Sequence, residues 1–294
     1  MKKLLFSQRS DTPHWVGDGF PVRSIFSYND IAKEISPFLL MDYAGPMEFP
    51  PSEHIRGVGE HPHRGFETVT IVYSGEVEHR DSAGGGGKIG PGDVQWMTAA
   101  SGLVHEEMHG KEFAKKGGLF EMVQLWVNLP AKDKMAKPKY QGILSKEIPK
   151  VDLGDGASSL RVIAGDFDGH RGPAKTFTAI NMWDIRMSAG FQKEFKVPHG
   201  HTTLVFVLEG RVRLGTGETL HPAELGVLDP QGDSFTLSAL ENAKVLFLGG
   251  QPLNEPIVGY GPFVMNTTAE IAKAFQDFNS GLMGKIDPVE GSNL

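Results

Sequence analysis

The chain contains no cysteine. That absence removes disulfides, thiolate nucleophiles, cysteine-ligated zinc and iron–sulfur clusters together, and it fits a reducing compartment. Long apolar runs are missing as well: nothing approaches the ~20 apolar residues of a transmembrane helix. The opening Met1-Lys2-Lys3-Leu4-Leu5-Phe6 starts like a secretory signal, but the apolar stretch stops at Ser7-Gln8-Arg9-Ser10-Asp11, short of a usable hydrophobic region. The expectation is a cytoplasmic monomer with no membrane partner. Positive charge is also scarce. Twenty-nine Lys and Arg against 36 Asp and Glu leave a net charge of -7. A general nucleic-acid binder needs a basic face to displace counterions, so no direct nucleic-acid partner is expected.

The chain is instead rich in turn formers, with 37 Gly and 19 Pro spread along its 294 residues. That favours many short strands over long helices. Thr68 to Tyr73 alternates Val69, Ile71 and Tyr73 against Thr68, Thr70 and Val72, as a strand in a sheet would. Val123–Leu129, Thr202–Gly210, Arg211–Gly215 and Ala243–Gly250 read the same way. Between such runs stand turn signals: Gly84 to Gly87, Gly90-Pro91-Gly92-Asp93 and Asp229-Pro230-Gln231-Gly232-Asp233. This is the punctuation of an all-β sandwich or barrel.

The order of features occurs twice. His61-Pro62-His63, a strand, Ser74-Gly75-Glu76-Val77 and Gly90-Pro91-Gly92-Asp93-Val94 are echoed by His199-Gly200-His201, a strand, Glu209-Gly210-Arg211-Val212 and His221-Pro222-Ala223-Glu224-Leu225. Two related barrels in tandem explain this most simply. The Lys- and Pro-rich stretch between Pro130 and Pro149 breaks the apolar pattern. The expected division is therefore 1–135 for a first barrel, 136–150 for a crossing segment and 151–294 for a second barrel. One helix is expected near the carboxyl end. Thr267-Thr268-Ala269-Glu270 fits a capping box, and Ile271, Phe275, Phe278 and Leu282 follow at helical spacing.

In a strand, residues i and i+2 face the same way. Pro62 pushes His61 towards an extended backbone, so His61 and His63 aim their rings together. His105 and Glu107 share that spacing. Two such pairs on neighbouring strands converge on one point, and three imidazoles with one carboxylate suit a divalent first-row metal. From spacing alone the alternative stays open that these are barrel histidines with ordinary hydrogen-bond partners. The second half has His199 and His201 but no later H-x-E, and Val205 stands where the first half has Glu67. His109 is read as a rim or surface residue, and His14, His170 and His221 as structural or solvated.

The stretches "HPHRGFETVT", "GPGDVQWMTAASGLVHEEMH", "PHWVGDGFPVRSIFS", "PFLLMDYAGPMEFPPS" and "GGQPLNEPIVGYGPFVMNT" resemble the pirin family of the cupin superfamily over nearly the whole chain. The resemblance implies an all-β fold of two tandem cupin (double-stranded β-helix, jelly-roll) barrels with a short C-terminal helix. It implies one mononuclear iron(II) in the first barrel, held by His61, His63, His105 and Glu107, and a metal-free second barrel. Manganese, nickel, cobalt or copper would suit the same ligands. Many cupins use a carboxylate at the position of Glu67. That residue lies an even number of positions after His63, so on a continuous strand it would face the site, as a metal neighbour or as an alternative base. Pairing with Arg64 or Arg80 at the barrel mouth is the other reading of Glu67.

Pirins are similar to quercetinases, which open flavonols with O₂ and release carbon monoxide. The implied reaction starts with loss of the flavonol 3-hydroxyl proton to Glu107 or, less directly, to Glu67. Phe66, Val69, Trp96, Met97 and Leu103 are candidate pocket residues or plain core. The resemblance also carries a second reading, a redox-sensitive iron protein that associates with a protein partner such as a transcription factor or a metabolic enzyme.

Overall fold

The computed structural model describes residues 1–287. Its strands form two sets of the same design, each a seven-stranded sheet facing a four-stranded one. In the first set the long sheet runs Lys139–Ile143, Val94–Thr98, Phe66–Ser74, Gly118–Asn128, Phe38–Phe49, Phe20–Ser27 and His14–Val16. Its short sheet runs Gly57–His63, Leu103–His109, Val77–Asp81 and Gly86–Ile89. In the second set the long sheet runs Leu4–Arg9, Glu224–Leu228, Thr202–Glu209, Ala243–Gly250, Ile180–Met187, Ser159–Ala164 and Lys150–Asp152. Its short sheet runs Gln192–Lys196, Ser234–Ala239, Val212–Leu214 and Thr219–Leu220. The repeat legible in the sequence is thus matched strand for strand.

The contacts divide the chain differently from the contiguous halves expected. One compact unit contains Pro13–Val22, Ala44–Gly142 and the chain from Glu255 onward; the other contains Met1–Thr12, Arg23–Tyr43 and Ile143–Asn254. The reason lies at the edges. Leu4–Arg9 pairs with Glu224–Leu228, so the first strand of the chain serves the second barrel. The stretch read as a crossing segment holds Lys139–Ile143, an edge strand of the first barrel's long sheet.

The C-terminal helix is present at Thr268–Asn279, and Thr267 accepts from the Glu270 backbone N–H as the capping signal requires. It serves the first barrel. Ile271 and Ala274 pack with Val104, Phe263 and Met283, whereas Phe278 and Leu282, expected on the apolar face, are 37% and 73% exposed. No helix among the described residues is long and apolar enough to cross a membrane.

The interiors differ. In the second barrel, Trp183 stacks on Phe247 at 4.3 Å, Phe247 on Phe235 at 5.2 Å and Phe235 on Phe195 at 5.2 Å. His199 and His201 stand in a turn after the Gln192–Lys196 strand, not within it, so the same-face rule does not bring their rings together.

Candidate metal centre

The Gly57–His63 and Leu103–His109 strands pair antiparallel, with His63 opposite Leu103 and His61 opposite His105. The short sheet therefore projects both motifs from adjacent strands. The His61 and His105 ring centroids lie 4.2 Å apart, His63 and His105 4.8 Å, and His61 and His63 4.9 Å. Ligand atoms of these three histidines fall within 4.8 Å of one another, and those of His79, His105 and Glu107 form a second, overlapping group at the same spacing. All four residues singled out from the motifs enter one locality, with His105 common to both groups. His79 is the addition.

Hydrogen bonds on the far side of each ring decide which nitrogen faces inward. The Nδ1–H of His61 donates to the Gly59 carbonyl at 2.8 Å, and that of His63 to the Pro262 carbonyl at 3.3 Å. A carbonyl only accepts, so each neutral ring keeps its proton on Nδ1 and offers the Nε2 lone pair. His105 is fully buried, and its Nε2 has no hydrogen-bond partner. Burial, reinforced by neighbouring imidazoles, pushes His63 down to about 3 and His105 well below its usual value. Both stay uncharged at neutral pH. Uncharged imidazoles whose outer nitrogens are anchored, one with an orphaned buried Nε2, fit the donor set a divalent ion needs.

Glu107 is buried and held by the opposite sheet. Its Oε1 accepts from the Gln95 amide and lies 3.3 Å from Thr70 Oγ1, whose single proton goes to the nearer Gln124 Oε1; its Oε2 accepts from Gln124 Nε2 at 3.3 Å. These partners sit side by side because Thr70 is opposite both Gln124 and Gln95 in the sheet. On the same face, Phe66 packs on His63 at 5.1 Å and stacks on Trp126 at 4.2 Å.

Glu67 is not part of this locality. Thr70 touches Glu107 and Phe66 touches His63, so even-numbered residues of Phe66–Ser74 face the site and Glu67 faces away. It accepts instead from Thr98 Oγ1 at 2.7 Å. The even-spacing expectation fails because the strand is not continuous. One strand ends at His63 and the next begins at Phe66, with Gly65 at φ +92 between them. Neither of the arginines considered as partners holds it: Arg64 pairs with Asp277 and Arg80 with Glu106. Val69 and Trp96 share with Glu67 the buried sheet face opposite the site, and only Phe66, Met97 and Leu103 of the candidate pocket residues stand on the site's side.

Burial pushes Glu67 up to about 7. The folded state then holds a proton that the unfolded chain, with a carboxyl near 4.5, releases. Stability from this group is complete below that lower value and is lost as pH rises through about 7. The loss amounts to about 3 kcal/mol. Glu67→Gln is expected to remove most of this dependence, raising the melting temperature at pH 8 while leaving it nearly unchanged at pH 5. Parallel melting curves that do not converge at low pH would contradict it.

His109, expected at the rim, is buried. Its Nε2 lies 2.8 Å from the Gly19 carbonyl and its ring stacks on Phe120 at 4.8 Å, in a cluster with Phe49 and Phe113. The signal for His79 in the sequence is its spacing: His79 and Asp81 are another i, i+2 pair, and they lie on the strand beside His105.

The fold and this locality define a two-barrel cupin whose first barrel carries a His/Glu cluster able to hold a metal ion. The chain belongs to the pirin family: the pirin family model matches residues 19–127 and the pirin C-terminal cupin domain matches 182–284. A Pseudomonas aeruginosa protein named "Putative quercetin 2,3-dioxygenase" is 55% identical over 281 residues, which is 96% of this chain and 98% of its own. Human "Pirin" is 37% identical over 261 residues, 86% of this chain and 84% of its own. A crystal structure named quercetin 2,3-dioxygenase, from Acinetobacter baumannii, superposes with a TM-score of 0.95 at 55% identity, covering 98% of this chain and 100% of that one.

Proposed function

We propose that this pirin is a metal-dependent dioxygenase of quercetinase type, which opens flavonol-like polyphenols with O₂ and releases carbon monoxide. One iron(II) would be held by His61, His63, His105 and Glu107, and other divalent first-row metals suit the same donors. The observation that carries the reading is the convergence of three imidazoles, one with an unpartnered Nε2, beside a buried carboxylate. The name borne by the relative at 55% identity supports this reaction class. When bound, the ion supplies Lewis-acid stabilisation of an anionic oxygen donor and the redox capacity to engage O₂.

The chain's own residues supply the rest. Three neutral imidazoles and one carboxylate leave a divalent site one positive charge in excess, which favours a deprotonated flavonol over a neutral one. Glu107 is the base that takes the 3-hydroxyl proton, since Glu67 is on the other face. Glu107 has the acceptor capacity for this, since each oxygen accepts a single amide N–H, Oε1 from Gln95 and Oε2 from Gln124. The stacked Phe66 and Trp126 beside His63 offer a flat apolar wall for a flat polyphenol and keep water from that side.

Protein loaded with iron(II) without air, then given quercetin and air, is expected to consume O₂, bleach the flavonol absorbance and release carbon monoxide. His61→Ala should abolish all three. A fully loaded native protein that leaves quercetin and related polyphenols untouched overturns the enzyme reading. Capture of a protein partner by only one oxidation state of the iron would then favour the redox-regulated binding role.

A further inference from the structure

A fourth imidazole lies against the ligand set. His79 stands opposite Glu107, and Asp81 opposite His105, on the neighbouring Val77–Asp81 strand. The side chains of His79 and Asp81 are 0% and 1% exposed. His79 Nε2 is 3.1 Å from Asp81 Oδ2, and His79 Nδ1 is 3.3 Å from His105 Nδ1. The Tyr140 ring stacks on His79 at 4.9 Å and 17°, which fixes its plane. Asp81 Oδ1 accepts from the Ala83 and Gly85 backbone N–H groups at 2.8 and 2.9 Å. Gly85 has to be glycine for this approach, because a Cβ there would come within 2.4 Å of Asp81 Oδ2 and 2.7 Å of Tyr140 Cβ. Burial works against the carboxylate, but the hydrogen bonds from His79, Gly85 and Ala83 hold Asp81 below its usual range.

The proton positions follow from these contacts. An ionised carboxylate only accepts, so His79 carries its proton on Nε2. In the neutral ring Nδ1 is then a bare acceptor, and the group facing it, His105 Nδ1, must donate. His105 Nε2 is left with its lone pair. Two carbonyls settle the tautomers of His61 and His63. His105 instead meets another imidazole, which could donate or accept, and Asp81 decides between the two.

We propose that Asp81 and His79 are positioning residues: they lock His105 as the Nδ1–H tautomer so that its Nε2 faces the ion, and His79 itself stays out of the ligand set. The inference rests on the metal reading above. Outer partners of ligating histidines commonly act in this way.

Asp81→Asn tests it sharply. The two backbone donors keep an oxygen at the Oδ1 position, so the new amide N–H₂ faces His79. His79 must then accept on Nε2 and donate from Nδ1, which forces the His105 proton to Nε2, a wrong-tautomer effect of known severity in a catalytic triad. In protein labelled with ¹⁵N-histidine and free of metal, long-range NMR should find the His105 proton on Nδ1 in the native chain and on Nε2 in Asp81→Asn. Cobalt(II) affinity, measured by competition with a chelator, should fall about 10–100-fold in Asp81→Asn. Adding Asp81→Asn to His79→Ala should change it no further. X-ray absorption on the cobalt protein should count three imidazoles with and without His79. A native His105 protonated on Nε2, an Asp81→Asn protein that binds cobalt as tightly as the native one, or loss of a coordinated imidazole in His79→Ala overturns the relay. Native protein that binds no cobalt, or binds it equally after His105→Ala, overturns the metal reading instead, and the NMR result separates the two failures.

Discussion

Glu107→Gln is expected to lower kcat by roughly 10²–10⁴-fold, the range for removing a positioned general base. The substitution keeps the size of the side chain and removes its charge and basicity. It also creates a local conflict. Both carboxylate oxygens already accept, Oε1 from Gln95 and Oε2 from Gln124. An amide must therefore turn its N–H₂ towards at least one of those donors. Weaker metal retention should accompany the fall in kcat, so turnover has to be normalised to bound metal. A normalised kcat within a few-fold of native would mean that Glu107 is not the base.

The second large effect concerns stability. Lys134 is buried, and its Nζ donates to the Gly65 carbonyl at 2.7 Å, to Asn128 Oδ1 at 2.6 Å and to the Val264 carbonyl at 3.0 Å. Lys134→Met keeps most of the apolar stem and takes the shared donor away from three buried acceptors. At about 1–3 kcal/mol for each unsatisfied buried group, the expected cost is about 3 kcal/mol or more. Urea unfolding should register it as a lower midpoint at unchanged slope. The same bonds tie down the turn that ends the His63 strand: a Cβ on Gly65 would lie 1.9 Å from the Val264 carbonyl oxygen. Lys134→Met should accordingly weaken metal binding although Lys134 touches no ligand. A midpoint unchanged within error would show that water replaces the ammonium without loss.

The tandem barrels, the H-x-H and H-x-E pairs and the helix start at Thr267 were legible in the sequence because each depends on local spacing: two residues along a strand, or three from cap to capping partner. What was not legible depends on which strand lies beside which. Glu67 faces away from the site because Gly65, at positive φ, breaks a strand that the alternating pattern alone would run straight through. His79 is not legible because its neighbour His105 is 26 residues away in sequence and beside it only through the sheet. The same holds for His109, whose burial comes from Phe20, Phe49 and Phe120, distant in sequence. The place of the first strand is not legible either, since Leu4–Arg9 carries no mark of the barrel it joins.

The most direct measurement is an anomalous difference map, at the iron edge, of crystals grown anaerobically with iron(II). The expected result is a single peak per chain, bonded to Nε2 of His61, His63 and His105 and to a carboxylate oxygen of Glu107, with His79 one shell further out. A peak beside His199 and His201, or one bound by His79 in place of His61 and His63, would contradict it.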